Sequence, residues 1–404
     1  MNDSLWLVVP VAQRAAGDWI DDTLAARAAE KGLTGRLDLA GRFPRRRVEV
    51  IRSADPVAQC NALYLRRGWT DGLPIVPPAI ARVDDMLRFS ARPREAVLGE
   101  MEPLAGLATV ERVAANAVMA GCRPEYFPVV LSAVEAILAP EFNLRGVQTT
   151  DENVTPLLVV CGPIAQRLGV NGGFGALGPG WQANASIGRA LRLVMHNLGG
   201  GWPAAVSLAG LGQPARYTLC LAENTAQSPW EPLHVELGLK PEDNAVVVQR
   251  AESVVNVTGG LEEIASVMGS LASAFSLLHG GRPAVLLAPY VAARLAAAGL
   301  GKAEVKRRLH QLGRIPVEQW RRSWLARELI RAERWPDWVK QAAEQGAIPA
   351  VESPEDITLV VAGGDLAIAQ HAYLPSWGFP SARIVKPIEL PADWAAMLAE
   401  GTRP

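Results

Sequence analysis

The sequence predicts an α/β protein with a mixed sheet built from two similar helix–strand–helix halves, helices on both sides and a C-terminal helical cap. Three observations carry this. Short aliphatic or β-branched runs such as Pro156–Cys161 and Ile357–Ala362 alternate with stretches of helical periodicity. A unit recurs, TPLLVVCGPIAQRLG from Thr155 and RPAVLLAPYVAARLA from Arg282, in which one gap aligns Pro163 with Pro289 and Arg167-Leu168 with Arg294-Leu295. Duplication and chance recurrence of a common α/β pattern explain the match equally well. Finally, Val317–Gln345 is helical in pattern and rich in arginine and tryptophan, including Trp320, Trp324, Trp335 and Trp338. Such residues are enriched at interfaces and offer a homo-oligomer contact. The resulting division is a small N-terminal lobe over 1–55, an α/β core over 56–300, and a C-terminal helical cap with a final strand over 301–404.

In chain order, Leu5–Val11 reads as a short buried strand and Trp19–Lys31 as an amphipathic helix. The basic run Arg42–Arg47 reads as a solvated turn, with a phosphate contact as the alternative. Prolines and glycines in Gly68–Pro78 forbid helix and hold Thr70-Asp71 at a stiff corner. There Asp71 either faces a ligand or closes an Asx-turn. Two helices follow, Thr109–Gly121 with an apolar stripe, and Pro124–Leu138, apolar nearly all round and therefore buried. Burial of the second obliges Glu135 to find a partner or shift its pKa. Pro156–Cys161 has the continuous apolar run of a central strand. Beyond it, Gly169–Gly201 is a glycine-crowded loop that opens a helix over Asn184–Leu198. Tyr217–Ala222 and Ala245–Gln249 read as strands, and Ala303–Leu312 as helix. A break at Pro336 divides Val317–Gln345, and Ile357–Ala362 is a strand.

Charge and composition narrow the function. Forty basic against forty-one acidic residues give a net charge of −1, which argues against nucleic acid or anionic lipid as principal partner. Cys60, Cys122, Cys161 and Cys220 lack zinc-type spacing and suit a reducing, cytoplasmic setting. The N-terminal apolar run is short and preceded by acid, unlike a signal peptide, and no apolar stretch reaches the roughly 20 residues of a membrane span. A small anionic substrate is the expected partner.

Gly173–Gly178 satisfies GxGxxG, but Pro179-Gly180 interrupts the passage into helix that a dinucleotide fold requires. The better reading is a loop whose backbone amides, with Asn171, Gly172 and Gly173, approach a ligand. Arg189, Arg192 and His196 follow at helical spacing on one face, with Asn184 or Ser186 able to cap the first turn. An arginine near a helix start opposes the dipole unless an anion sits there, so Arg189 and Arg192 are expected to bind carboxylate or phosphate. A solvated basic face or structural ion pair is the alternative. Polar groups beyond a strand's carboxyl end commonly form sites, which selects Glu223 and Asn224. With His234, Glu223 could move protons while Asn224 orients a carbonyl, and Asp71 is a further catalytic candidate. Loop residues capping strand ends remain the competing explanation. No cofactor is favoured; His196, His234, Glu223 and Glu236 are suitable metal donors, but without HxxxH or HExxH spacing. Cys161 and Cys220 near strand ends are candidate nucleophiles or inert core thiols, and no GxSxG elbow occurs.

The segments GWTDGLPIVPP, NAVMAGCRPEYFPVVLSAVEAIL, GPGWQANASIGRALRL, CLAENTAQSPWEPLHVELG and VVAGGD, spread over Arg66 to Pro387, resemble a bacterial family of unassigned function. Its members are similar to, and sometimes associated with, proteins named for a UGSC selenocysteine or cysteine motif. That resemblance implies thiol or selenol redox chemistry. The chain contains neither UGSC nor CGSC, so no redox residue carries over.

The leading expectation is an enzyme, a lyase, cyclase or hydrolase, acting on a small carboxylate-bearing metabolite by acid/base chemistry. The alternatives are an accessory subunit of a thiol or selenol redox system, and a cysteine-dependent enzyme using Cys161 or Cys220.

Overall fold

The computed structural model describes residues 4–9, 11, 49–278, 281–377 and 383–401. Trp19–Lys31 and Arg42–Arg47 lie outside the described residues, as does most of the expected N-terminal lobe. What is described of that lobe is an antiparallel pair, Ser4–Val8 with Glu49–Ser53.

The protein is mixed α/β, but the expected single sheet is two four-stranded mixed sheets. In the first, Thr155–Cys161 is central, antiparallel to Ala245–Ala251 from Thr155↔Ala251 to Cys161↔Ala245 and parallel to Cys220–Ala222. Ile384–Pro387 completes that sheet beside Ala245–Ala251. In the second, Ala284–Leu287 runs parallel to Thr358–Val361 and antiparallel to Gln370–Leu374, which pairs with Val255–Thr258. Three of these strands come from the segment beyond Gly301, where the sequence pattern announced one.

Strand alternation explains how the sheets stack. Leu158, Val160, Val246 and Val248 point to one face and pack with Val129, Val130, Ile187 and Leu191 from the helices Phe127–Leu138 and Gln182–Gly199. Their neighbours Leu157, Val159 and Val247 point the other way, onto Ala284, Leu286, Val360 and Leu374 of the second sheet. The far face of that sheet, with Val285, Leu359 and Val361, is covered by Ile264, Ala292, Val305 and Leu309. The layers therefore run helix, sheet, sheet, helix. Thr155–Cys161 and Ala245–Ala251 are buried at every position, as strands covered on both faces must be.

The helices start where the sequence places them. Thr109 Oγ1 accepts the Arg112 N–H at 3.3 Å and caps Val110–Ala120, and Pro124 opens a 3₁₀ turn leading into Phe127–Leu138. Glu135, on that buried helix, is paired with Arg92 at 2.6 Å. No single helix among the described residues is long and apolar enough to cross a membrane. Val317–Gln345 divides into Val317–Arg322, a π-turn at Leu325–Leu329, a 3₁₀ turn at Ala332–Arg334 and the helix Asp337–Glu344. Trp320 and Trp335 meet edge-on at 5.7 Å within a small core containing Ile315 and Val339. Both are buried, so of the contact-forming tryptophans named above Trp324 is the exposed one.

Candidate active site

The carboxyl ends of Thr155–Cys161 and Cys220–Ala222 open into a cleft of about 760 Å³ lined by Cys161, Gly172, Gly173, Glu223, Asn224 and His234, among others. This is where parallel strands of an α/β sheet commonly present a site. A short helix, Pro163–Arg167, intervenes between the central strand and the glycine loop, which therefore enters the cleft from the side.

Local hydrogen bonds fix the loop. The Asn184 side chain accepts the Asn171 N–H at 2.8 Å and donates to the carbonyls of Asn171 at 2.8 Å and Ala176 at 3.1 Å. Asn184 is thus a buried staple between loop and helix, not a cap. Trp181 occupies the N-cap position, and Ser186 Oγ donates back to Gln182 O at 2.7 Å. Asn171 is equally committed, accepting the Gly173 N–H and donating to Phe174 O, both at 2.8 Å. At Gly172 a side chain has no room: a Cβ there would lie 2.5 Å from Ala222 O and 2.8 Å from Glu223 C. The glycine brings the loop against the backbone that carries Glu223.

Glu223 leaves the strand end and turns inward. Its Oε2 accepts the Leu233 N–H at 2.6 Å, at the start of the one-turn helix Leu233–Glu236 that carries His234. Its Oε1 is buried without a hydrogen bond, 3.6 Å from Lys302 Nζ. Burial raises the Glu223 pKa, while the Lys302 charge and the Leu233 amide partly oppose that. His234 is 1% exposed; its Nε2 is 3.4 Å from Pro241 O, and its Nδ1 has no partner. A neutral ring with the proton on Nε2 would leave Nδ1 an open acceptor.

Behind these groups lies a buried charge network. Lys302 Nζ donates to Glu231 O at 2.9 Å and stands 3.2 Å from Glu236 Oε2, and Lys306 pairs with Glu236 Oε1. Burial works to raise the Glu236 pKa, but Lys302 and Lys306 outweigh it and hold the carboxylate low. Neither lysine was found by sequence reasoning, because each reads as part of an ordinary amphipathic helix start. Cys161 reaches the same cleft, its thiol pushed up by burial and then by the nearby Glu223 carboxylate. Cys220 is a core residue against the helix at Gly188, where a Cβ would lie 3.2 Å from the Cys220 Cβ and 2.3 Å from Thr218 Oγ1.

Asp71, Arg189 and Arg192 are elsewhere. Arg189 Nε and Nη2 grip Asp71 Oδ2 and Oδ1 at 2.7 and 2.8 Å, and Nη2 also donates to Pro74 O at 2.9 Å. Asp71 simultaneously accepts the Leu73 N–H at 3.2 Å, as an Asx-turn does. The dipole-opposing arginine is answered by a carboxylate of the chain itself. Arg192 Nε donates to Arg216 O at 2.7 Å and Nη2 to Thr155 Oγ1 at 3.0 Å. His196 Nε2 bonds Gly68 O at 2.6 Å, and its pKa is pushed down to about 4, chiefly by burial.

The expected residues therefore fall into two groups. Asn171, Gly172, Gly173, Glu223, Asn224 and His234 line the strand-end cleft. Asp71, Arg192 and His196 line a different one. Among the described residues, no group of three His, Cys, Asp or Glu side chains is arranged to hold a metal ion. Comparison with family models, curated proteins and solved structures finds no match for this chain.

Proposed function

We propose that the strand-end cleft is the active site of an enzyme that moves protons on a small polar metabolite, in a lyase, cyclase or hydrolase reaction. The observation that carries this is the pair of buried polar atoms without hydrogen bonds, Glu223 Oε1 and His234 Nδ1, on two residues lining one cleft. A buried atom without a partner costs about 1–3 kcal/mol, which His234 Nδ1 bears in full and Glu223 Oε1, 3.6 Å from Lys302 Nζ, bears in part, and such a cost inside a cleft calls for a role. Burial favours the neutral acid of Glu223, and Lys302 at 3.6 Å supports the carboxylate once the proton leaves. His234 is the second proton carrier. Asn224 Nδ2 donates to Gln227 Oε1 at 2.7 Å and to Gly363 O at 3.3 Å, so Asn224 holds Gln227 in place and the Gln227 Nε2 group is the side-chain amide donor offered to a carbonyl or carboxylate of the substrate. Among the described residues no arginine lines this cleft, so the carboxylate of the expected substrate rests here on the Gln227 amide and the glycine loop.

Glu223→Gln preserves shape and removes the acid. In a turnover screen of small hydroxy, oxo and unsaturated acids, the wild type should convert a substrate class that Glu223→Gln converts at least ~100-fold more slowly. Equal rates in the two proteins would end the assignment.

A second reading uses Cys161, whose thiol lines the same cleft. It requires a thiolate that burial and Glu223 both disfavour. Rapid selective alkylation of Cys161 at neutral pH would favour it over the acid/base reading.

A further inference from the structure

We infer that the second cleft, on the far part of the Gln182–Gly199 helix, binds a small organic anion through Arg192 and Arg216. It is a separate site. Asn184 touches the glycine loop, whereas His196 lines this second cleft, and twelve residues of helix span roughly 18 Å.

Its volume is about 790 Å³, within the range of small-molecule sites. Charge accounting across its walls leaves two cations without an ion-pair contact among the described residues. Asp71 is the carboxylate in the lining, and both of its oxygens are taken by Arg189. Arg192 spends Nε on Arg216 O and Nη2 on Thr155 Oγ1, both neutral acceptors, and the Asp71 carboxylate that is already gripped by Arg189 acts on its charge only without contact. Arg216 likewise reaches Ser207 Oγ at 2.8 Å. Among the described residues, neither guanidinium forms an ion pair with a carboxylate. Each also feels burial, and for Arg192 the positive charge of Arg216 adds to that penalty while Asp71 offsets part of it. Two neighbouring, largely desolvated arginines are costly alone and stabilising around an anion, because the fork of each matches a carboxylate or phosphate.

The remainder of the lining says what the anion is attached to. Leu211, Pro203, Pro214 and Tyr217 supply apolar wall, with Leu211 and Tyr217 exposed. An anionic head between the arginines with an apolar body along that wall fits the chemistry. Inorganic phosphate would use only half of it. His196 is held neutral, and its Nε2 is engaged with Gly68 O, so it adds no charge at physiological pH.

Calorimetric titration of the full chain with hexanoate, hexyl phosphate and inorganic phosphate tests this. Saturable binding of hexanoate or hexyl phosphate is expected, weakened about tenfold or more by Arg216→Gln and unchanged by Glu223→Gln. The preferred head group separates carboxylate from phosphate. Arg216→Lys, which keeps charge without the fork, should bind in between, and thermal melts establish that the variants are folded. Absence of saturable binding by either organic anion, affinity indifferent to Arg216→Gln, or inorganic phosphate binding as tightly as hexyl phosphate would each overturn the inference. Loss of binding in Glu223→Gln would also overturn it, by placing the ligand in the other cleft.

Discussion

Replacing Arg189 by alanine is expected to destabilise the fold by about 3–5 kcal/mol, the cost of stranding a buried charge. The guanidinium meets Asp71 through bonds of 2.7 and 2.8 Å, and the two side chains are only 15% and 6% exposed. Losing the 2.9 Å bond to Pro74 O adds about 1 kcal/mol, while the Leu73 N–H still solvates Asp71 and offsets part of the penalty. Urea unfolding of the wild type, Arg189→Ala, Asp71→Ala and the double variant measures both the loss and the coupling. Because each single change leaves the other charge unpaired, the double variant should be less destabilised than the sum by about 2 kcal/mol. A loss below about 1 kcal/mol with no coupling would refute this reasoning. The pair would then be worth no more than a surface salt bridge, and Arg189 would be free for a ligand, as the helix-dipole argument first suggested.

Other expectations follow from the same contacts. His196, its pKa pushed down to about 4 from 6.5, binds a proton more readily unfolded than folded. Its stabilising contribution is therefore present above pH 6.5 and lost as pH falls towards 4, by about 3 kcal/mol; unfolding curves across that window should flatten in His196→Gln, and unchanged curves would count against it. Burial raises both Glu152 and Glu252; the Glu152 carboxylate pushes Glu252 further, to about 8, while at Glu152 the hydrogen bond with Glu252 opposes the rise and Asp151 adds to it. Protonation at this pair therefore favours the folded state, and stability should decline as pH rises above the ordinary carboxylate value of 4.5. Glu252→Gln should remove much of that decline, as read by thermal melts at several pH values. Gly172→Ala should cost about 1–3 kcal/mol and displace Glu223, since the added methyl meets the Ala222 carbonyl; a variant as stable as wild type would show that the loop can move. Thiol labelling with mass spectrometry at neutral pH should find Cys161 slow, because its thiol is buried and held protonated.

The legible features were those set by local pattern. Strand Thr155–Cys161 announces itself by an unbroken apolar run, and the position of Glu223 and Asn224 just beyond a strand's carboxyl end, where they line the cleft, follows from the same local pattern. The stacking of two sheets was not legible. Leu157 and Leu158 look alike in sequence, whether the face they enter is a helix or another sheet. Long-range pairing was equally hidden: Asp71 and Arg189 are 118 residues apart, and nothing local distinguishes an arginine awaiting a ligand from one already gripping a carboxylate. Asn184 illustrates the same limit. It sits where a cap would be expected, yet its amide serves the loop instead, a choice made by tertiary contact. Lys302, Lys306 and Arg216 gave no signal because a basic residue on an amphipathic helix or a turn is ordinarily solvated.

In the proposed reaction Glu223 transfers protons to and from a small molecule in the strand-end cleft. Incubating the protein in deuterium oxide with a panel of small oxo and hydroxy acids, and following loss of carbon-bound proton signals by NMR, tests it most directly. The wild type should exchange protons adjacent to the carbonyl or carboxylate of at least one compound. Folded Glu223→Gln should fail to do so, and Arg216→Gln, altered only in the other cleft, should still exchange. Exchange that persists in Glu223→Gln, or its absence with every compound in the wild type, would rule out proton transfer by Glu223.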